Sequence, residues 1–110
     1  MAQAAIAENI MDLAASRALV REAAAALDRG DRAGQETSIA KAFVAEAVNR
    51  VIDRCVQLCG SRGISHDLPL AKFFREARAF RVYDGPSEVH RMALARRALR
   101  RADTDSGATR

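Results

Sequence analysis

Residues 81–91 read Arg-Val-Tyr-Asp-Gly-Pro-Ser-Glu-Val-His-Arg, a short polar run between two stretches of helical period. Asp84 has two possible jobs in such a gap. Ahead of a helix it is a cap, because a carboxylate can accept the orphan N–H groups of the first turn, and Gly85 could hold the same place. Beside a pocket wall built by Tyr83 and kept open by Gly85, it is a general base. The residues alone leave both readings open. A second run, Gln57-Leu-Cys-Gly-Ser-Arg-Gly63, ends a helix with two glycines three positions apart. Backbone of that kind can approach a flat or phosphorylated ligand closely, or it can simply stop the helix.

The remaining reactive side chains point to no metal. His66 and His90 stand 24 positions apart with no partner at ligand spacing, so His66 reads as a loop residue and His90 as part of a helix's first turn. Cys55 and Cys59 share one helical face and lack a second pair. They read as buried or half-buried thiols of a reducing, cytoplasmic compartment. Eight arginines (75, 78, 81, 91, 96, 97, 100 and 101) face only Glu76, Asp84 and Glu88 between positions 75 and 101, so that third carries a net +5 of the chain's +4. No aromatic ring interleaves with Arg96, Arg97, Arg100 and Arg101. A solvated or subunit-facing basic surface therefore fits better than a nucleic-acid surface.

The elements that position these residues are helices. In 110 residues there are 24 alanines, 5% aromatics and no tryptophan, which suits one thin helical domain with a marginal core. Helix one is expected from about Gln3 to Arg29, with Ile6, Ile10, Leu13, Val20, Ala24 and Leu27 as its apolar side, stopped at Gly30. Asp31 is the expected cap of helix two, from about Ala33 to Cys59, whose wide stripe from Ile39 to Leu58 makes it the most buried helix. Helix three is expected over about Leu68–Phe80, with Ala71, Phe74 and Ala77 inward. Helix four is expected over about Pro86–Ala102, with Val89, Met92, Ala95 and Leu99 as its apolar side. Pro69 and Pro86 both sit where a helix can begin. Residues 1–102 form the expected domain, and 103–110 a disordered tail. No apolar run is long enough to span a bilayer, and no signal peptide is apparent at the start, so no membrane partner is expected.

Taken together, Gln57-x-x-Gly60-Ser61-x-Gly63-Ile64-x-x-Asp67, then Lys72 and Glu76, resembles the C-terminal signature of acyl-CoA dehydrogenases. The Ser38-Ile-Ala-Lys-Ala-Phe43 and Tyr83-Asp-Gly-Pro-Ser-Glu-Val-His-Arg91 runs resemble that family's segments in order and spacing, so the likeness covers roughly residues 3–101. It implies an all-α fold, an antiparallel four-helix bundle like the family's C-terminal domain but lacking its first helix. It implies FAD as cofactor, an acyl-CoA thioester as substrate and an electron-transferring flavoprotein as acceptor. By the same likeness Asp84 is the catalytic carboxylate, where glutamate is usual. Tyr83 and Gly85 line the acyl-thioester pocket. Gln57, Gly60, Ser61 and Gly63 contact an FAD bound mainly by a neighbouring subunit, and Ser87 and Glu88 lie against the flavin nucleotide. Pro86 and Glu88 stand where threonine and glutamine are common. Without the family's other domains the isolated chain is expected to be inactive, and to need self-association or a companion chain. The alternative is a non-enzymatic helical module that keeps the fold and uses an exposed face to self-associate.

Overall fold

The computed structural model describes residues 1–107, and every regular element in them is helical. In chain order they are α1 (Ala2–Asp28), α2 (Gly34–Cys59), the single-turn α3 (Ser61–Ile64), α4 (Leu70–Arg78) with a 3-10 turn at Ala79–Arg81, and α5 (Ser87–Gly107). The all-α expectation holds. The gap between helices two and three contains an extra turn, α3, and α5 runs on to Gly107 through residues expected to be tail. Residues 108–110 of that tail lie outside the described residues.

Helix α2 is the hub. Helices α1, α4 and α5 all pack on it, giving an elongated molecule of 64 × 27 × 26 Å. Each runs antiparallel to α2. Asn9 and Asp12 of α1 meet Arg54 near the far end of α2. Phe80, just past α4, meets Lys41 near its start. His90 meets Ser38, whereas Arg97 lies over Gly34.

The faces turned inward are not the expected ones. On α1 the buried residues are Ser16, Ala23 and Ala26, whereas Ile6, Ile10, Leu13, Val20 and Leu27 remain 38–62% exposed. Alanine lets two helix axes approach closely, so the α1–α2 seam is closed by small residues and a polar latch rather than by the large aliphatics. Asp12 forms that latch. Its carboxylate accepts from Arg50 at 2.6 Å and from Arg54 at 2.7 Å, and Arg54 also reaches Glu8 at 2.8 Å.

Helix α5 does the same. Ser87 is buried, and His90, Leu94 and Arg97 are half-buried on the same side, whereas Val89, Met92 and Leu99 are 47–66% exposed. On α4, Ala77 is buried as expected but Phe74 is exposed. Helix α2 is the most buried, as expected, but its fully buried residues are the alanines Ala40, Ala42, Ala45 and Ala47, whereas the large members of the expected stripe are half-buried and Leu58 is exposed. The start of α2 differs: Asp31 does not cap it but pairs with Arg29 at 3.4 Å, and Ala33 precedes the helix in a left-handed conformation (φ 47°). Cys55 is half-buried and accepts a weak bond from Asn9 (3.7 Å), but Cys59 is exposed, contrary to the buried or half-buried expectation.

Candidate functional site: the Tyr83–Gly85 turn

The turn between the 3-10 segment and α5 is fixed from two helices. Asp84 has φ 53° and Gly85 φ 86°. Left-handed backbone suits glycine and is tolerated by aspartate better than by most residues. The carbonyls of Tyr83, Asp84 and Gly85 each have a side-chain partner. Lys41 Nζ, on α2, donates to the carbonyls of Phe80 (2.7 Å), Tyr83 (2.8 Å) and Gly85 (3.1 Å). The Asp84 carbonyl lies 3.1 Å from His90 Nε2. A carbonyl only accepts, so Nε2 carries the proton. In the neutral ring Nδ1 is then free to accept the hydroxyl of Ser38, 3.2 Å away.

A second α2 residue grips both ends of the turn. Glu46 Oε1 accepts from Arg81 Nε and from Ser87 Oγ, each at 3.0 Å, with Arg91 at 3.8 Å. Burial pushes the Glu46 carboxyl up, but the Ser87 hydroxyl and the Arg81 guanidinium outweigh it and hold the group below the usual carboxylate range.

Within this frame Asp84 is exposed, and its carboxylate takes no hydrogen bond among the described residues. It does not cap α5, where the N–H groups of Val89 and His90 go to the Pro86 carbonyl. The Asp84 side chain thus caps no N–H group of α5 among the described residues. Tyr83 is half-exposed, its ring 5.5 Å from that of Phe80 and 5.4 Å from Lys41 Nζ. Phe80 and Tyr83 together close one end of an apolar groove of about 480 Å³ between α1 and α2, walled by Val20, Leu27, Ala40 and Val44.

The glycine loop lies elsewhere. At 1.5 Å of rise per residue, the α2 stretch from Lys41 to Gln57 separates the two loops by roughly 24 Å. They do not share a cavity within one chain. Gln57, Gly60 and Ser61 are exposed, and the Gln57 amide and Ser61 hydroxyl have no hydrogen bond among the described residues. Gly60 takes φ 56° with open space where a Cβ would stand. That edge fits a ligand from outside. Gly63 is different: it is buried, and a Cβ there would come within 2.5 Å of the Val56 carbonyl oxygen. Its lack of a side chain serves the approach of α3 to α2.

Ser87 and Glu88 also part company. Ser87 is 1% exposed with its hydroxyl given to Glu46, whereas Glu88 is exposed and 3.9 Å from Arg91. Sequence reasoning singled out the tips of the turn but assigned no role to its supports, Lys41, Glu46, Ser38 and His90. The available signals were that Ser38 and Lys41 lie in the Ser38–Phe43 run and His90 in the Tyr83–Arg91 run.

Comparison with known proteins agrees with the all-helical fold. The family model "Acyl-CoA dehydrogenase, C-terminal domain" matches residues 1–99. Acyl-CoA dehydrogenase family member 11 of Gallus gallus is 42% identical over 93 residues, which are 83% of this chain and 12% of that protein. Cyclohexane-1-carbonyl-CoA dehydrogenase of Geobacter metallireducens is 30% identical over 93% of this chain and 27% of its own length. The solved structure of a putative acyl-CoA dehydrogenase from Mycobacterium abscessus superposes with a TM-score of 0.87 at 36% identity, over 91% of this chain and 25% of that one. The chain thus spans between about an eighth and a quarter of the proteins it matches. A hub helix with three antiparallel partners, a pinned acidic turn and a family match along almost its full length lead to one conclusion: the chain belongs to the acyl-CoA dehydrogenase family, in that family's C-terminal helical domain.

Proposed function

We propose that this chain supplies the C-terminal part of an FAD-dependent acyl-CoA dehydrogenase, with Asp84 as the base that removes the α-proton of an acyl-CoA thioester. One observation carries the reading. Among the described residues the Asp84 carboxylate accepts no hydrogen bond, although the left-handed backbone around it is tied by three bonds from Lys41 to the carbonyls of Phe80, Tyr83 and Gly85 and by one between His90 and the Asp84 carbonyl. A general base needs that combination: a rigid backbone and a free carboxylate. FAD, when bound, supplies the acceptor for the β-hydride. The exposed Gln57 amide, the open Gly60 and the Ser61 hydroxyl fit a flavin nucleotide arriving from outside the chain, with Glu88 at the rim of the other turn. Tyr83 and Gly85 shape the wall beside the thioester. Gly63 and Ser87 act from inside, one closing α3 onto α2 and the other tying α5 to Glu46.

The roughly 24 Å between the loops has a consequence. One chain serves two cofactor sites, offering Asp84 to one and the Gln57–Ser61 edge to another. Self-association or a companion chain completes both, and an electron-transferring flavoprotein takes the electrons. The test joins the chain to the other domains of a relative and follows bleaching of the bound flavin on adding an acyl-CoA. Bleaching that survives in Asp84→Asn removes the base role. A second reading, a non-enzymatic self-associating module, is favoured by the exposed stripes of α1 and α5. A colourless, stable oligomer with no affinity for FAD in either setting would select it.

A further inference from the structure

Lys41 is the least expected part of the turn's support. An ammonium has three N–H donors and accepts nothing. Here all three go to backbone carbonyls of one segment, Phe80, Tyr83 and Gly85. The two carbonyls flanking Asp84 in the chain are therefore tied to a single atom, and the carbonyl of Asp84 itself is tied to His90. A non-glycine residue held at positive φ is strained and persists only where its surroundings over-determine it. We propose that Lys41 is a positioning residue for proton abstraction: by gathering three carbonyls on one point, it holds the Asp84 backbone left-handed and fixes where the carboxylate stands. Its catalytic meaning rests on the reading of Asp84 as base. Lys41 itself acts only through the backbone.

The chemistry separates this role from a simple charge. Lys41→Met keeps a long unbranched chain and removes the donors. Lys41→Arg keeps the charge, but its donors form a rigid planar fork, which cannot converge on three carbonyls as a tetrahedral ammonium does. A clean reporter sits beside the site, because Tyr83 is the only tyrosine and there is no tryptophan. The near-ultraviolet dichroism of the purified chain therefore reports on this turn. Backbone exchange supplies the second readout, since the Val82 and Tyr83 N–H groups bond the Ala79 carbonyl at 2.9 and 3.0 Å.

Both variants should lose most of the tyrosine signal, and exchange at Val82 and Tyr83 should quicken roughly tenfold or more, while protection in the middle of α1 and α2 stays near wild type. Three results would overturn the proposal. One is an unchanged turn in Lys41→Met. Another is full rescue by Lys41→Arg, which would reduce the residue to its charge. The third is a loss of protection spread evenly along α1 and α2, which would make it a packing residue. These measurements need no flavin and no turnover. An active Asp84→Asn enzyme would refute the base and leave the outcome for Lys41 untouched.

Discussion

Gly63 and Gly60 are three residues apart and make opposite predictions. A Cβ on Gly63 would stand 2.5 Å from the Val56 carbonyl oxygen and 2.9 Å from its Cα, both rigid backbone of α2. Gly63→Val should cost about 3 kcal/mol of stability by forcing α3 off α2. Gly60 faces open space, so Gly60→Ala meets only the strain of a backbone that favours glycine (φ 56°, ψ −135°), about 1–3 kcal/mol. Thermal unfolding of the two variants checks the order, and equal losses would contradict it. At the turn, a Cβ on Gly85 would meet His90 Nε2 at 2.8 Å. Gly85→Ala should therefore break the bond from His90 to the Asp84 carbonyl, seen as a change in the His90 ring resonances with the helices intact. The tips of both loops were legible in the sequence because Tyr-Asp-Gly and Gly-Ser-x-Gly are locally unusual. The burial of Gly63 and Ser87 was not, because it depends on Val56 and Glu46, residues 7 and 41 positions away in the chain.

At the scale of the helices, the α1–α2 seam shows why periodicity found the elements and missed their orientation. The aliphatic stripe of α1 is the stronger sequence signal, yet the face that packs carries Ser16, Ala23 and Ala26. Small residues give little signal on a hydropathy scale, and Asp12 reads as polar surface until Arg50 and Arg54 are set opposite it. The hydrogen bond from Arg50, with help from Arg54 and against the effect of burial, lowers the Asp12 carboxyl to about 2. Its folded value lies below its unfolded one, so the stabilisation is complete above the ordinary value of 3.8 and is lost as pH falls toward 2. Arg50 is partly wet, so screening reduces the contribution to about 1–2 kcal/mol. Asp12→Asn should lose that amount at neutral pH and flatten the acid limb of the stability profile between about pH 4 and 2. A variant with the same acid limb as wild type would show that the latch is idle.

For the whole molecule, two helices turn their large aliphatics outward. Ile10, Val20, Met92 and Leu99 are each 47–66% exposed, and Val20 also lines the apolar groove between α1 and α2. Exposed apolar area on this scale favours association. The isolated chain should sediment as an oligomer, and Ile10→Lys with Val20→Lys should shift it toward monomer without unfolding, since neither residue is buried. Unchanged sedimentation would place any contact on another face. The helical class, the central place of α2 and the family were legible from the sequence. The outward faces were not, because a stripe of apolar residues marks a contact without saying with what.

Asp84 is proposed to take a proton from carbon. In the assembled flavoenzyme, an acyl-CoA held in deuterated water should exchange its α-hydrogen at a rate that falls at least a hundredfold in Asp84→Asn, with folding and flavin content preserved. Exchange at the wild-type rate in that variant would contradict it.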